Sequence, residues 1–92
     1  VRPDPPENYP NPFNSSTVIQ FSLATSGHVT VRIFNVLGQH VRTLSAGHRE
    51  AGRQSVAWNG SNANGNPVSS GVYFYRIETP DAQFTKKMVI VK

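Results

Sequence analysis

The chain has 92 residues, no cysteine and a formal net charge of +4. This length suits one domain with a modest core, and the absence of cysteine excludes disulfide bonds, thiolate nucleophiles and thiolate metal ligands. The nine basic residues are spread along the chain with one adjacent pair, Lys86-Lys87, so we expect no nucleic-acid partner. No apolar run approaches the roughly 18 residues that a membrane-spanning helix requires, so we expect no membrane span.

The N-terminal end is rich in proline, with five of the seven prolines in residues 1–14. Because proline lacks a backbone donor and favours extended backbone, we predict that residues 1–14 form a linker or arm and residues 15–92 the domain. Tyr9 and Phe13 would gain by docking onto this domain or onto a neighbouring subunit. Since the sequence begins at Val1 rather than Met, we expect a processed product or a piece of a longer protein.

Short stretches of alternating apolar and polar residues predict strands, and no longer window has the apolar spacing of a helix. The predicted strands are residues 17–23, 28–34, 41–44, 54–58, 72–79 and 84–91. Residues 45–53 are predicted to be a loop because they offer only two alanines to a core, and residues 61–70 a second loop rich in Asn and Ser. Strands of this length and spacing predict an all-β, antiparallel β-sandwich.

The predicted core is centred on Trp58 and on the strand that follows the second loop. Side chains alternate along a strand, so Val56 and Trp58 share one face, and Tyr73, Tyr75 and Ile77 share another. These large side chains would fill the space between the two sheets.

The last predicted strand carries two signals. Residues 88–91 are apolar on both faces, so we expect this part of the strand to be central in its sheet or covered on both sides. Lys86 and Lys87 are neighbours, so one leans inward with its ammonium at the rim and the other faces outward.

Six stretches, in one order along the chain, carry a family resemblance. They are Tyr9-Pro10-Asn11-Pro12-Phe13-Asn14, residues 31–38, Val56-Ala57-Trp58-Asn59-Gly60, residues 64–68, residues 70–76 and residues 86–89. With them the chain resembles the C-terminal type A sorting domain of the type IX secretion system, and the related immunoglobulin-like domain of the flagellar hook-capping protein. The resemblance implies an immunoglobulin-like antiparallel β-sandwich of about seven strands.

The resemblance also implies a function. Such a domain is not an enzyme and needs no cofactor; it directs a secreted passenger across the outer membrane of a Gram-negative bacterium. We therefore expect secretion-machinery proteins as partners and a location outside the cell or on its surface. The candidate partner-binding residues are Tyr9, Pro10, Asn11, Pro12, Phe13, Gly71, Tyr73, Lys86 and Lys87.

Metal binding and catalysis have little support in the residues. Asn62, Asn64 and Asn66 alternate as calcium ligands do, but residues 61–70 contain no carboxylate, so we expect a pair of Asn-Gly turns instead. The family often has Asp where Asn59 and Asn62 stand, which removes further carboxylates. The three histidines lack the spacing of zinc ligands, and most of the five acids fall in predicted loops or the arm, so no metal site or catalytic group is predicted.

Two alternatives stay open. Phe34 and Phe74 lie on predicted outer faces and are candidates for stacking on a sugar ring. The chain is also a candidate for a secreted subunit that self-assembles into an extracellular filament, through its N-terminal arm or an edge strand. In that case Tyr9 and Phe13 would be buried on a neighbouring subunit.

Overall fold

A computed structural model describes residues 5–92, which form seven strands and no helix. The strands are β1 (Glu7–Tyr9), β2 (Thr17–Leu23), β3 (Gly27–Asn35), β4 (His40–Arg49), β5 (Gly52–Trp58), β6 (Gly71–Glu78) and β7 (Gln83–Ile90). The predicted all-β class and strand number are confirmed. Residues 1–4 of the predicted arm lie outside the described residues.

The strands form two antiparallel sheets. One sheet has the order β1-β2-β5 and the other the order β4-β3-β6-β7. Along β2 and β6 burial alternates with the strand period of two, so one face of each sheet turns to the other sheet and the second face turns outward. None of residues 5–92 belongs to a helix that could cross a membrane.

The core lies between the two sheets and has Trp58 among its largest buried side chains. The buried apolar residues are Phe13, Ile19, Phe21, Leu23, Val29, Val31, Ile33, Val56, Trp58, Tyr73, Tyr75, Ile77, Met88 and Ile90. Trp58 is 1% exposed and Tyr75 is also 1% exposed. The predicted inward faces of the strands around Trp58 and Tyr75 are confirmed.

Part of the Pro-rich segment belongs to the sandwich. Glu7–Tyr9 is a strand of the first sheet, paired with β2, and Phe13 is buried in the core at 3% exposure. Over these residues the predicted arm is therefore not separate from the domain. The strand alternation turns Asn8 inward and Tyr9 outward, which leaves Tyr9 79% exposed.

The prediction of a loop at residues 45–53 is wrong. β4 continues to Arg49, where it pairs with Gly27, and β5 begins at Gly52. These residues offer few apolar side chains, but the backbone of Ser45 to Arg49 pairs with Val31 to Gly27 of β3. Backbone pairing, which leaves no apolar pattern in the sequence, is what extends the strand.

The last strand is not central. β7 is the edge strand of its sheet, and at its start Phe84 is 39% exposed, although it shares the strand phase of the buried Met88 and Ile90. Met88 and Ile90 are buried at 0% and 1% exposure, while Val89 between them is half-buried. Val91 is 55% exposed, so the expectation that residues 88–91 are central or covered on both faces is wrong for the end of this stretch. At the free edge, Phe13 forms a parallel bridge with Ile90.

Candidate partner-binding surfaces

The N-terminal segment is tied to β2 by a chain of hydrogen bonds. The Asn8 amide donates to the Thr17 hydroxyl at 3.1 Å, and that hydroxyl donates to the carbonyl of Pro10 at 2.8 Å. Thr17 is 1% exposed, so these are bonds that a buried hydroxyl has to make. They fix the backbone on both sides of Tyr9, whose ring extends into solvent. The peptide bonds before Pro10 and Pro12 are both cis.

Asn11 and Phe13 hold the C-terminal end of β7. The backbone N–H of Phe13 donates to the carbonyl of Val89 at 3.0 Å, and the N–H of Val91 donates to the carbonyl of Phe13 at 2.8 Å. The side-chain oxygen of Asn11 accepts the N–H of Val89 at 3.1 Å. The two ends of the chain, which the sequence presented as separate candidate sites, therefore meet at one edge of the sandwich.

Three aromatic rings pack edge to face in the core beneath this edge. Trp58 lies between Phe13, at a centroid distance of 5.8 Å, and Tyr73, at 5.7 Å. The indole N–H donates to the carbonyl of Ser61 at 2.8 Å, so the polar atom of the buried ring is satisfied. The ring cluster makes the N-terminal segment, β5 and β6 one packed unit.

Gly71 and Tyr73 have structural roles in β6. Gly71 has a φ of +147°, in a region that side chains with a Cβ avoid, and nothing lies within 4 Å of the position its Cβ would take. Tyr73 is 8% exposed and its hydroxyl donates to the carbonyl of Ser69 at 2.8 Å. Burial raises the pKa of Tyr73.

Lys86 and Lys87 are both exposed on β7. Lys86 pairs with the buried Tyr75 and so lies on the face turned toward the other sheet, while Lys87 pairs with Phe74 on the outer face. One inward and one outward lysine was the prediction, and the register confirms it. Among the candidate residues, these two and Tyr9 to Pro12 are exposed, whereas Phe13 and Tyr73 are buried.

The outer face of the larger sheet carries an aromatic and basic row. Phe34 lies opposite Phe74 across β3 and β6, and the edge of the Phe34 ring meets His40 at a centroid distance of 5.9 Å. The guanidinium of Arg76 covers the Phe34 ring at 4.8 Å, as a cation does over an aromatic face. Arg76 therefore occupies one ring face that a stacked sugar would need.

Asn35 and Asn62 each stabilise a turn with the same hydrogen-bond pattern. The side-chain oxygen of Asn35 accepts the N–H groups of Leu37 and Gln39, both at 3.0 Å. The side-chain oxygen of Asn62 likewise accepts the N–H groups of the residues two and four positions later, both at 3.0 Å. In each turn a glycine at the third position after the Asn, Gly38 or Gly65, has positive φ.

These turns lie beside each other around a shallow depression. Its volume is about 560 Å³, and its walls include Asn35, His40, Asn62, Asn64 and Tyr73. Because the oxygen of Asn62 already accepts two backbone N–H groups, it has little left to offer a cation, as the Asn-Gly turn interpretation expects. Within residues 5–92 no three His, Asp or Glu side chains form a group that could hold a metal ion.

One carboxylate outside the candidate sites has a shifted pKa. The hydrogen bond from His48 at 3.1 Å, together with one from Ser26 at 3.2 Å, lowers the pKa of Glu50. The Ser26 hydroxyl in turn accepts the backbone N–H of Ala51 at 2.9 Å. This exposed cluster holds the connection between β4 and β5.

The class of the protein follows from this architecture: two antiparallel sheets packed around an aromatic core make an immunoglobulin-like β-sandwich. The family model of the FlgD Ig-like domain matches residues 11–83. The chain belongs to this family. No curated protein matches it in sequence.

Solved structures share the fold. FlgD from Xanthomonas campestris, described as a hook-capping protein essential for flagellar assembly, is 27% identical with a TM-score of 0.65 over 95% of this chain and 62% of its own. Dimeric latent PorU from Porphyromonas gingivalis is 22% identical, with a TM-score of 0.75 over 94% of this chain and 9% of its own.

PorZ from Porphyromonas gingivalis is also similar, at 21% identity and a TM-score of 0.58 over 95% of this chain and 11% of its own. It is described as an essential bacterial surface component of the type IX secretion system. At these identities the likeness to PorU and PorZ is one of fold. The chain spans less than two thirds of each of these three proteins.

Proposed function

We propose that the chain is a non-catalytic sorting module that directs a passenger protein across the outer membrane through the type IX secretion system. The observation that carries the proposal is the recurrence of the whole fold within PorZ, a surface component of that system, of which it makes up 11%. A small domain within a much larger surface protein is the arrangement that a sorting module requires. The protein would then be secreted or held on the surface of a Gram-negative bacterium.

Secretion-machinery proteins would bind the exposed candidate residues. Machinery that recognises a folded domain contacts accessible groups, and Lys86, Lys87 and Tyr9 are accessible. Phe13 and Tyr73 are buried and support this surface from beneath. In this proposal the segment from Pro10 to Pro12 and the last strand act as one surface because Asn11 and Phe13 join them.

A reporter fusion tests the proposal. The 92 residues are placed after a folded reporter with a periplasmic signal peptide, in a host with the type IX system and in a matched strain that lacks it. We expect the reporter outside the cells of the first strain and retained in the second. Equal retention in both strains, with the fusion intact and folded, would reject the sorting role.

The alternative is self-assembly into an extracellular filament. Assembly through the N-terminal arm would require Phe13 to leave its place beside Trp58, since only Tyr9 of the two docking aromatics is exposed. Assembly through β7 would bring the lysines of two copies together. The mass of the intact chain in solution at high concentration decides between a monomer and a polymer.

A further inference from the structure

The free edge of β7 is divided into a closed half and an open half. Asn11 and Phe13 close the half at Val89 and Val91, where both bind backbone groups. These bonds show that the N–H and C=O of Val89 point away from β6. Backbone groups of every second residue point the same way along a strand, so those of Thr85 and Lys87 also point outward.

The open half runs from Gln83 to Lys87 and is defined here as the open edge. All its side chains are exposed. Within residues 5–92 no backbone bond from outside the sheet reaches Thr85 or Lys87. Unpaired N–H and C=O groups in a row are the template on which an extended segment adds as a further strand. The chain itself uses this mode at the closed half, where Phe13 forms a parallel bridge with Ile90.

The open edge is positively charged, which favours an acidic binding partner. Lys86 and Lys87 project on opposite faces of β7, so an added strand meets a positive charge on each face. A second copy of β7 would bring these lysines against the same lysines, and like charges on paired strands are destabilising. Arg76, which lies next to Thr85 in the register, adds to the positive potential on the outer face. The carboxylate of Glu78, which pairs with Gln83 at the start of the open edge, is engaged by Arg32 at 2.8 Å.

We propose that the open edge binds an extended acidic peptide segment, which adds to the sheet as a strand beside β7. Adjacent residues of a strand face opposite sides, so two consecutive acidic residues place one carboxylate beside Lys86 and the next beside Lys87. Backbone bonds to Thr85 and Lys87 fix the position of the segment. The proposal does not rest on the export role, because it concerns binding by the isolated chain.

The test uses a fluorescent, end-capped hexapeptide, TVEEVT, titrated with the 92-residue protein and followed by polarisation. We expect saturable binding that weakens with added salt, since exposed charge pairs are screened. The same peptide with glutamine for both glutamates should bind about tenfold more weakly. A third peptide, TVEEVT N-methylated on every residue, has no backbone N–H between its residues to donate from either edge and should not bind.

Variants of the protein locate the site. The double variant Lys86→Gln with Lys87→Gln should weaken binding about tenfold, which corresponds to two exposed charge pairs. Lys92→Gln is the matched control, because it removes a lysine charge from the same end of the molecule. The Lys92 ammonium donates to the carbonyl of Val68. This control substitution should change the affinity by less than about threefold.

A backbone substitution tests strand addition directly. Thr85→Pro removes an N–H that points outward, and proline is tolerated on edge strands, so the thermal transition should persist while binding is lost. If Thr85→Pro unfolds the protein, the N-methylated peptide provides the same test. The proposal is overturned by no binding at millimolar peptide, by equal binding of the N-methylated peptide, or by equal losses in the double variant and in Lys92→Gln.

Discussion

The ring of Phe13 meets the indole of Trp58 edge-on, with centroids 5.8 Å apart and ring planes at 66°. This contact joins a residue near the N-terminus to the end of β5. Because the backbone N–H and C=O of Phe13 also bond Val89 and Val91, the side chain and the backbone of this residue link the N-terminal segment to both sheets. The N-terminal segment and β7, which carry the exposed candidate residues, depend on this link for their relative position.

Truncation of either ring should destabilise the domain strongly. Trp58→Ala and Phe13→Ala should each lower the free energy of unfolding by about 3–5 kcal/mol, because each leaves a cavity in the core. The double variant should show a coupling of about 0.5–1.5 kcal/mol, as edge-to-face pairs do. Chemical denaturation measures all three values. Tyr9→Ala is the control, with a change within about 0.5 kcal/mol; a loss under about 1 kcal/mol for Trp58→Ala would contradict its place in the core.

The two Asn turns predict a second effect on stability. Asn62→Ala removes the acceptor of two backbone N–H groups and should lower the free energy of unfolding by about 1–2 kcal/mol. Asn35→Ala should have a similar effect for the same reason. Asn64→Ala is the matched control in the same loop, since its side chain makes none of these bonds. Equal stability of the Asn62 and Asn64 variants would show that water replaces the lost acceptor.

Substitution of Gly71 should lower the stability of the domain through backbone strain alone. Gly71→Ala meets no steric obstacle, yet it forces a side chain into a φ of +147°, so we expect a loss of about 1–3 kcal/mol. Gly47 also has open space around the position of a Cβ but has no positive φ, so Gly47→Ala should be close to neutral. If thermal unfolding shows the same small change for both, the backbone at Gly71 relaxes without cost.

The burial of Tyr75 predicts a pH dependence. Burial, with a smaller contribution from Glu7, raises the pKa of Tyr75 to about 12 from 10.0. A pKa raised on folding gives stability that is fully present below pH 10 and is lost as the pH rises toward 12. Tyr75→Phe should therefore lose less stability than the unsubstituted chain between pH 10 and pH 11.5. Denaturation at each pH measures this, and parallel curves for the two proteins would reject the assignment.

The sequence was sufficient for the core and for most strands. The alternation of apolar residues predicts both the strands β2 and β6 and the face of each that is buried, because burial of one face produces a sequence period of two. Trp58 was placed in the core by the same rule. Glycine and asparagine indicate the long loop before Gly71, because few other residues adopt a positive φ.

Other features leave no local signal. The extension of β4 to Arg49 depends on pairing with β3, and the burial of Phe13 depends on residues more than seventy positions later in the chain. Tyr9 is exposed, unlike Phe13, because the alternation of side chains along Glu7–Tyr9 turns it outward. A Pro-rich sequence gives no sign of this alternation. The matched turns are visible in the sequence as two Asn residues, Asn35 and Asn62, each followed by a glycine three positions later.

Export of lysine variants is the most direct test of the central claim, that the exposed last strand belongs to a sorting module. The reporter fusion with Lys86→Gln and Lys87→Gln should fold as the unsubstituted fusion does, because both side chains are exposed. Deletion of the strand would instead remove the buried Met88 and Ile90 and unfold the domain. We expect extracellular reporter to fall at least fivefold in the double variant and to stay unchanged in Lys92→Gln. Undiminished export of the folded double variant would contradict the claim.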